Sequence, residues 1–188
     1  KDHFENVFPM LKGRGLQGSF FPPAKVIEEQ MVLDVNKIHF ILASAERLEP
    51  LIADIYSLLD SYRVEYKLAS NEHYYGTLAV ADRMDSAEII FIKRLLQRAL
   101  PESLRKIIVG KLFATYVSKD EATFSRELYM NMTQLEEMRK AGMHIGSHSY
   151  DHVWLDTLSP IQQETDIARS LAFLEKIGVS RARWTMCY

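Results

Sequence analysis

Apolar side chains recur at helical spacing along much of the chain. The pattern is clearest in residues 3–12, in residues 50–63 and in the later part of 160–177, from Ile167 onward, where apolar residues recur every third or fourth position. Such a stripe predicts an amphipathic helix with one face turned to a core. A further apolar stretch begins after a predicted cap at Asp85 and is broken at Pro101, which predicts a helical hairpin.

Short apolar runs bounded by glycine or proline predict strands near both ends of the chain. Residues 16–21, 143–147 and 181–188 have this form. The order helix, glycine, strand occurs at both ends, whereas the middle, approximately residues 36–124, is expected to be helical. The order therefore predicts an α/β fold, with a barrel that carries a large helical insertion. Within the middle, residues 64–84 are predicted to be irregular.

The composition is that of an ordinary globular domain. The chain has 188 residues, of which 47% are hydrophobic and 26% charged, and its formal net charge is −2. We expect one domain over residues 1–188, and this charge balance gives no reason to expect nucleic acid as a partner. The sequence contains no apolar run long enough for a membrane span. Cys187 is the single cysteine and is interpreted as a buried thiol.

His148 and His152 form the most informative pair of residues in the sequence. They lie four positions apart, so one helical or helix-like turn would bring both imidazoles to one side, where they could bind a divalent cation. A zinc-protease pattern would need a glutamate where Ser149 stands. A hydrogen-bonded pair of histidines without a metal is the alternative that the residues alone leave open.

The sequence around this pair resembles a known family. The run GMHIGSHSYDH at residues 142–152 is similar to the second motif of the polysaccharide deacetylases, carbohydrate esterase family 4. Residues 8–21 are similar to the segment that follows the first motif of that family, and residues 183–188 resemble the approach to its third motif. The resemblance implies a distorted (β/α) barrel, here incomplete, and a metal-dependent hydrolase that removes N-acetyl groups from a carbohydrate. It also implies that His148 and His152 bind the metal, with zinc as the expected ion.

The same resemblance implies residues that this chain does not contain. The family's first motif, Thr-Phe-Asp-Asp-Gly, provides a catalytic base and a third metal ligand, and it would precede Lys1. No catalytic residue is therefore assigned within the 188 residues, and we expect a fragment of a longer deacetylase. The alternative is a catalytically inactive relative that binds a glycan or a partner chain.

Three further features carry secondary hypotheses. The hydroxyl of Ser149 is expected to bind loop backbone rather than act as a nucleophile. Asp151 is interpreted as a turn residue, with orientation of an imidazole as the alternative. Residues 70–76 combine tyrosines with Asn, Glu and His, and they either line a sugar site or form a surface turn.

Overall fold

The computed structural model describes residues 1–187 and divides the chain into two compact units. The first unit contains residues 1–32 and the residues from 121 onward, and the second contains residues 33–120. Each unit has its own set of buried apolar side chains. The second unit falls within a few residues of the helical insertion expected at 36–124, and its role as an insertion into a deacetylase domain stays a prediction.

The first unit combines helices with two very short strands. A π-helical turn at His3–Val7 leads into the first helix. Its helices and strands are, in chain order, α1 (Phe8–Gly13), β1 (Ser19–Phe20), α2 (Ala24–Glu28), α8 (Glu121–Leu128), α9 (Met132–Lys140), β2 (His144–Ile145) and α10 (Pro160–Lys176). A single 3-10 turn at Leu155–Thr157 precedes α10. The predicted helices at 3–12 and 160–177 are therefore present.

The strands β1 and β2 pair in parallel. Ser19 lies opposite His144, and Phe20 lies opposite Ile145. One further parallel bridge joins Ser147 to Met186, so the segment after α10 returns beside the segment after β2. The three predicted strand segments therefore lie side by side, although regular pairing in β1 and β2 is limited to two residues in each.

The core of the first unit forms where α9 and α10 cover the strands. Leu135 and Met138 of α9 are fully buried, and Phe173 and Leu174 of α10 are almost fully buried. They surround Ile145 of β2 in one apolar cluster. Because burial of such side chains stabilises a fold by about 1.5–3 kcal/mol each, this cluster fixes the strand that leads into the histidine pair.

Both long helices of this unit begin with a capping box. In α10, Ser159 and Gln162 exchange side-chain and backbone hydrogen bonds, as the sequence predicts. In α9 the box is formed by Asn131 and Gln134, although Thr133 with Glu136 fits the same sequence pattern. Asparagine caps a helix as well as threonine does, so both positions satisfied the sequence pattern.

The second unit is entirely helical. Its helices are α3 (Asp34–Ser44), α4 (Leu48–Tyr66), α5 (Asn71–Leu78), α6 (Ala87–Arg94) and α7 (Glu102–Tyr116), with a π-helical turn at Leu95–Ala99. The predicted hairpin broken at Pro101 is present as α6 and α7. The expectation that residues 64–84 are irregular is wrong for residues 64–66, which end α4, and for residues 71–78, which form α5. The side chain of Ser70 accepts a hydrogen bond from the backbone of His73 and caps α5.

The predicted barrel is absent from residues 1–187, which are mostly helical. A barrel needs a closed ring of strands, and the described residues contain one two-stranded sheet and one isolated bridge. The alternation of helices and strands at the chain ends is real, but regular pairing is limited to two residues in each strand. The fold class is corrected accordingly to a mainly helical chain with a small parallel sheet.

No helix within residues 1–187 is both long and apolar enough to cross a membrane.

Candidate metal centre

The histidine pair lies in a loop that begins at the carboxyl end of β2. Ile145 is buried in the core and Gly146 follows it, packed so tightly that a Cβ atom there would lie 2.5 Å from Cε1 of Phe21. Ser147 then binds the segment that follows α10, because its N–H donates to the carbonyl of Thr185 over 2.8 Å. The missing side chain of Gly146 therefore permits this close approach of Phe21 and Thr185.

The loop that carries the histidines is not a helical turn. Ser149 has φ of 61° and His152 has φ of 55°, both in the left-handed region that residues with a Cβ seldom adopt. The hydroxyl of Ser149 accepts a 2.9 Å hydrogen bond from the N–H of His152. The expected role of Ser149 as loop scaffold is confirmed, whereas the helix-like turn is wrong.

The two imidazoles meet despite this different backbone. The ring centroids of His148 and His152 are 4.8 Å apart, and the rings are inclined at 67°. Two nitrogens bound to one zinc ion at about 2.0–2.1 Å in tetrahedral geometry lie about 3.3 Å apart, so two ligating imidazoles must be close neighbours, as these rings are. The histidines are neither splayed apart nor enclosed by hydrocarbon, since both retain access to solvent.

A backbone carbonyl orients the ring of His148. Its Nδ1 lies 2.9 Å from the carbonyl oxygen of Cys187, which can only accept a hydrogen bond. The proton of the neutral imidazole is therefore placed on Nδ1, and the lone pair is left on Nε2. Histidines that bind metals are commonly held in this way by a carbonyl or carboxylate on the other nitrogen.

His152 has a pKa below its ordinary value. The main cause is partial burial of the ring, which removes water from around it and disfavours the charged form. The charge of His148 is the second cause. The residue as a whole remains exposed, so the effect comes from the ring's own neighbours rather than from deep burial. A lowered pKa keeps the imidazole neutral at physiological pH, which is the form that binds a metal.

The helix α10 holds the loop through two side chains. Asp166 is almost fully buried, and its carboxylate accepts hydrogen bonds from the N–H groups of Tyr150 (2.9 Å) and Asp151 (2.8 Å). One turn later on α10, the Ser170 hydroxyl lies 2.5 Å from the hydroxyl of Ser147. The sequence analysis missed this clamp. The available signal was two small polar residues four apart on a helix that is otherwise apolar on its inner side.

Other polar residues near the pair have different partners. Asp151 lies 2.6 Å from the ammonium of Lys25 and does not orient an imidazole. The Nε2 of His144 lies 2.5 Å from the hydroxyl of Thr185, a contact that gives this histidine a structural role. The thiol of Cys187 was expected to be buried but is exposed, because this residue lies outside any regular strand.

The donor set suits zinc but is smaller than a usual site. Imidazole nitrogens are common ligands of zinc and of similar borderline ions. Catalytic zinc sites usually have three protein ligands. Within residues 1–187, no group of three or more histidine, cysteine, aspartate or glutamate side chains is arranged to hold a metal ion. The pair therefore fits two positions of a metal site.

Comparison with known proteins gives one match. A model of the family described as polysaccharide deacetylase matches residues 109–188, which include the strand β2, the histidine loop and α10. No curated protein and no solved structure matches this chain. The resemblance drawn from the motif around His148 and His152 is thus confirmed, and residues 109–188 carry the sequence pattern of the polysaccharide deacetylase family.

Proposed function

We propose that this chain forms part of a metal-dependent enzyme that removes N-acetyl groups from a carbohydrate. The observation that carries the proposal is the meeting of the His148 and His152 rings, 4.8 Å apart, inside the segment that matches the deacetylase family. The position also suits catalysis, because both rings lie just beyond the carboxyl end of a parallel strand, where α/β enzymes place their sites.

In this proposal His148 and His152 are metal ligands. A divalent ion held by them would acidify a water molecule and polarise the acetamide carbonyl of the substrate. The Cys187 carbonyl presents Nε2 of His148 by holding the proton on Nδ1. Ser149 and Asp166 fix the turn between the two rings, so the ligands are arranged before any ion arrives.

The proposal assigns no catalytic base to residues 1–188. The family resemblance implies an adjacent pair of aspartates, one as base and one as the third ligand. His144 and Asp151 are unsuited to these roles, because Thr185 and Lys25 respectively are their partners. The products of the proposed reaction are acetate and a glycan with a free amine.

Acetate release from an N-acetylglucosamine oligomer tests this proposal, with the protein expressed from its complete coding sequence. We expect His148→Ala and His152→Ala to abolish release, as should a chelator, with restoration by zinc. His39→Ala removes an exposed histidine of α3 and is expected to leave release unchanged. Full activity of His148→Ala would refute the proposal. Glycan binding without any acetate release would favour the inactive binding domain instead.

A further inference from the structure

A separate cavity lies within the second unit, where α4 and α5 meet. It has a volume of about 350 Å³ and is open to solvent. Its lining residues are Tyr56, Asn71, Glu72, Tyr75 and Gly76. Four of these belong to the polar-aromatic segment 70–76 in which the sequence left a sugar site open. The volume lies within the range of small-molecule sites, which is about 300–1,000 Å³.

The two tyrosines of the cavity rest on one buried ring. Phe91 of α6 is fully buried, and its centroid lies 5.0 Å from that of Tyr75 and 6.0 Å from that of Tyr56. Such contacts fix the tyrosine rings, while both residues stay half-exposed at the cavity. The need to cover Phe91 explains why two tyrosine rings lie here. It does not explain why an open cavity separates these rings from the polar groups of the wall.

The polar wall of the cavity is held in place by neighbouring side chains. Oδ1 of Asn71 accepts a 2.7 Å hydrogen bond from Arg63, and Nδ2 of Asn71 donates to Asp60 over 3.2 Å. The amide orientation is therefore set. The hydroxyl of Tyr75 donates to Glu88 over 3.4 Å. Among the described residues, the hydroxyl of Tyr56 has no hydrogen-bond partner.

The charge at the cavity is negative. Glu72 and Glu88 stand in the first turns of α5 and α6, where hydrogen bonds from their own backbone N–H groups lower the pKa of each carboxyl. The pKa of Tyr56 is raised, first by burial and then by Tyr75 and Glu72. The guanidinium of Arg63, which donates to Asn71, also pairs with Asp60.

We propose that this cavity binds an amino sugar, with the pyranose against the tyrosine rings and a protonated amine near Glu72. Aromatic faces attract cations and also stack on sugar rings, and an ionised carboxylate favours the charged form of an amine. The choice of an amino sugar over other cations rests on the proposed function, because deacetylation yields a glycan with free amines. The cavity would then hold a deacetylated part of the glycan.

A binding titration of the full chain with two trisaccharides tests this inference. The probes are the glucosamine trimer and the N-acetylglucosamine trimer. Binding is detected by changes in the amide and aromatic NMR signals of α4 and α5. We expect the glucosamine trimer to bind about tenfold more tightly and to shift signals of Tyr56 and Tyr75. Equal binding of both trimers, or shifts confined to other residues, would overturn the inference.

Matched substitutions make the test specific. Glu72→Gln should remove the preference for the glucosamine trimer, whereas Glu65→Gln, an exposed site on α4, should retain it. Tyr56→Ala should abolish binding, and Tyr74→Ala, which alters a ring outside the cavity lining, should not. Circular dichroism of each variant checks folding. Retained preference in a folded Glu72→Gln variant would also overturn the inference.

The failure of this inference can be told apart from failure of the proposed function. The His148→Ala variant leaves the cavity intact, so it should bind the glucosamine trimer as the unchanged chain does. If acetate is released but the cavity binds neither trimer, the inference alone fails. If the cavity binds the glucosamine trimer but no acetate is released, the proposed function alone fails.

Discussion

Asp166 holds the backbone N–H of Tyr150 through a 2.9 Å hydrogen bond to Oδ2. Its other carboxylate oxygen accepts from the N–H of Asp151, so one buried side chain fixes two successive peptide groups. These groups lie between Ser149 and His152, the two residues of this loop that have left-handed backbone. The clamp therefore stabilises a loop conformation that would otherwise be costly, and that conformation brings the two imidazoles together.

We predict that Asp166→Ala lowers the free energy of unfolding and weakens metal binding. Two buried N–H groups would lose their partner, and each unsatisfied group costs about 1–3 kcal/mol. Urea denaturation measures the first effect, and zinc titration of the folded variant measures the second. Asp156→Ala, at an exposed position of the same segment, is the control and should change neither quantity. Unchanged zinc affinity in folded Asp166→Ala would show that the clamp does not position the pair.

Gly146→Ala is predicted to destabilise the strand that leads to the site. The added Cβ would lie 2.5 Å from Phe21 and 2.7 Å from Oγ1 of Thr185, which is too close for either neighbour to tolerate unmoved. Overpacking of this kind costs about 1–3 kcal/mol. Gly110→Ala is the contrasting variant, because a Cβ within α7 meets nothing within 4 Å. It should stabilise the chain by about 0.5–1 kcal/mol. Thermal unfolding of both variants separates the outcomes, and similar effects would contradict the packing at Gly146.

Stability at high pH is predicted to depend on Tyr150. Its hydroxyl donates to Glu28 and Glu29, and burial, followed by these carboxylates, raises the pKa of the phenol well above its usual value. Below pH about 10 the protonated Tyr150 hydroxyl makes its full contribution to the stability of the folded state. At higher pH the unfolded chain loses this proton first, so the folded state becomes progressively less stable until the folded pKa is reached.

Tyr150→Phe removes this titration, so the variant should lose less stability than the unchanged chain between pH 8 and pH 11. Urea midpoints at the two pH values give the difference directly. Tyr74→Phe alters a half-exposed tyrosine in the second unit and should follow the unchanged chain. Parallel losses in the Tyr150→Phe variant and the unchanged chain would contradict the prediction.

Metal affinity is predicted to fall in acid. Both imidazoles must be neutral to bind, so protons compete with the metal as the pH drops below about 6. The pKa of His152 lies below its ordinary value, so this residue resists protonation further into the acid range. Zinc titrations between pH 5 and pH 8 should show affinity rising with pH and then levelling. Affinity independent of pH over this range would argue against histidine ligation.

The helices could be predicted from the sequence where amphipathic spacing and caps agreed. Ser159 and Gln162 identify the start of α10 through their capping-box pattern, and the apolar positions from Ile167 onward identify its buried face. The barrel could not be judged this way, since apolar runs of four to eight residues fit a strand without fixing how far it pairs. Only Ser19–Phe20 and His144–Ile145 pair regularly.

The histidine pair was identifiable from sequence, but its support was not. The spacing of His148 and His152 indicated that the rings could meet, and the structure brings them together through left-handed residues rather than a helix. The Asp166 clamp and the Cys187 carbonyl act across 15 or more positions of the chain. Such contacts follow from tertiary packing, which local spacing does not encode.

The most direct measurement of the central claim is an NMR titration of the six histidine rings with zinc. The account predicts that the ring signals of His148 and His152 change together, with one midpoint, and that the Nε2 signal of His148 shifts most because Nδ1 is held by Cys187. The other four histidines serve as internal references and should remain unaffected at that midpoint. Separate midpoints for the two rings, or no change at either ring, would contradict the account.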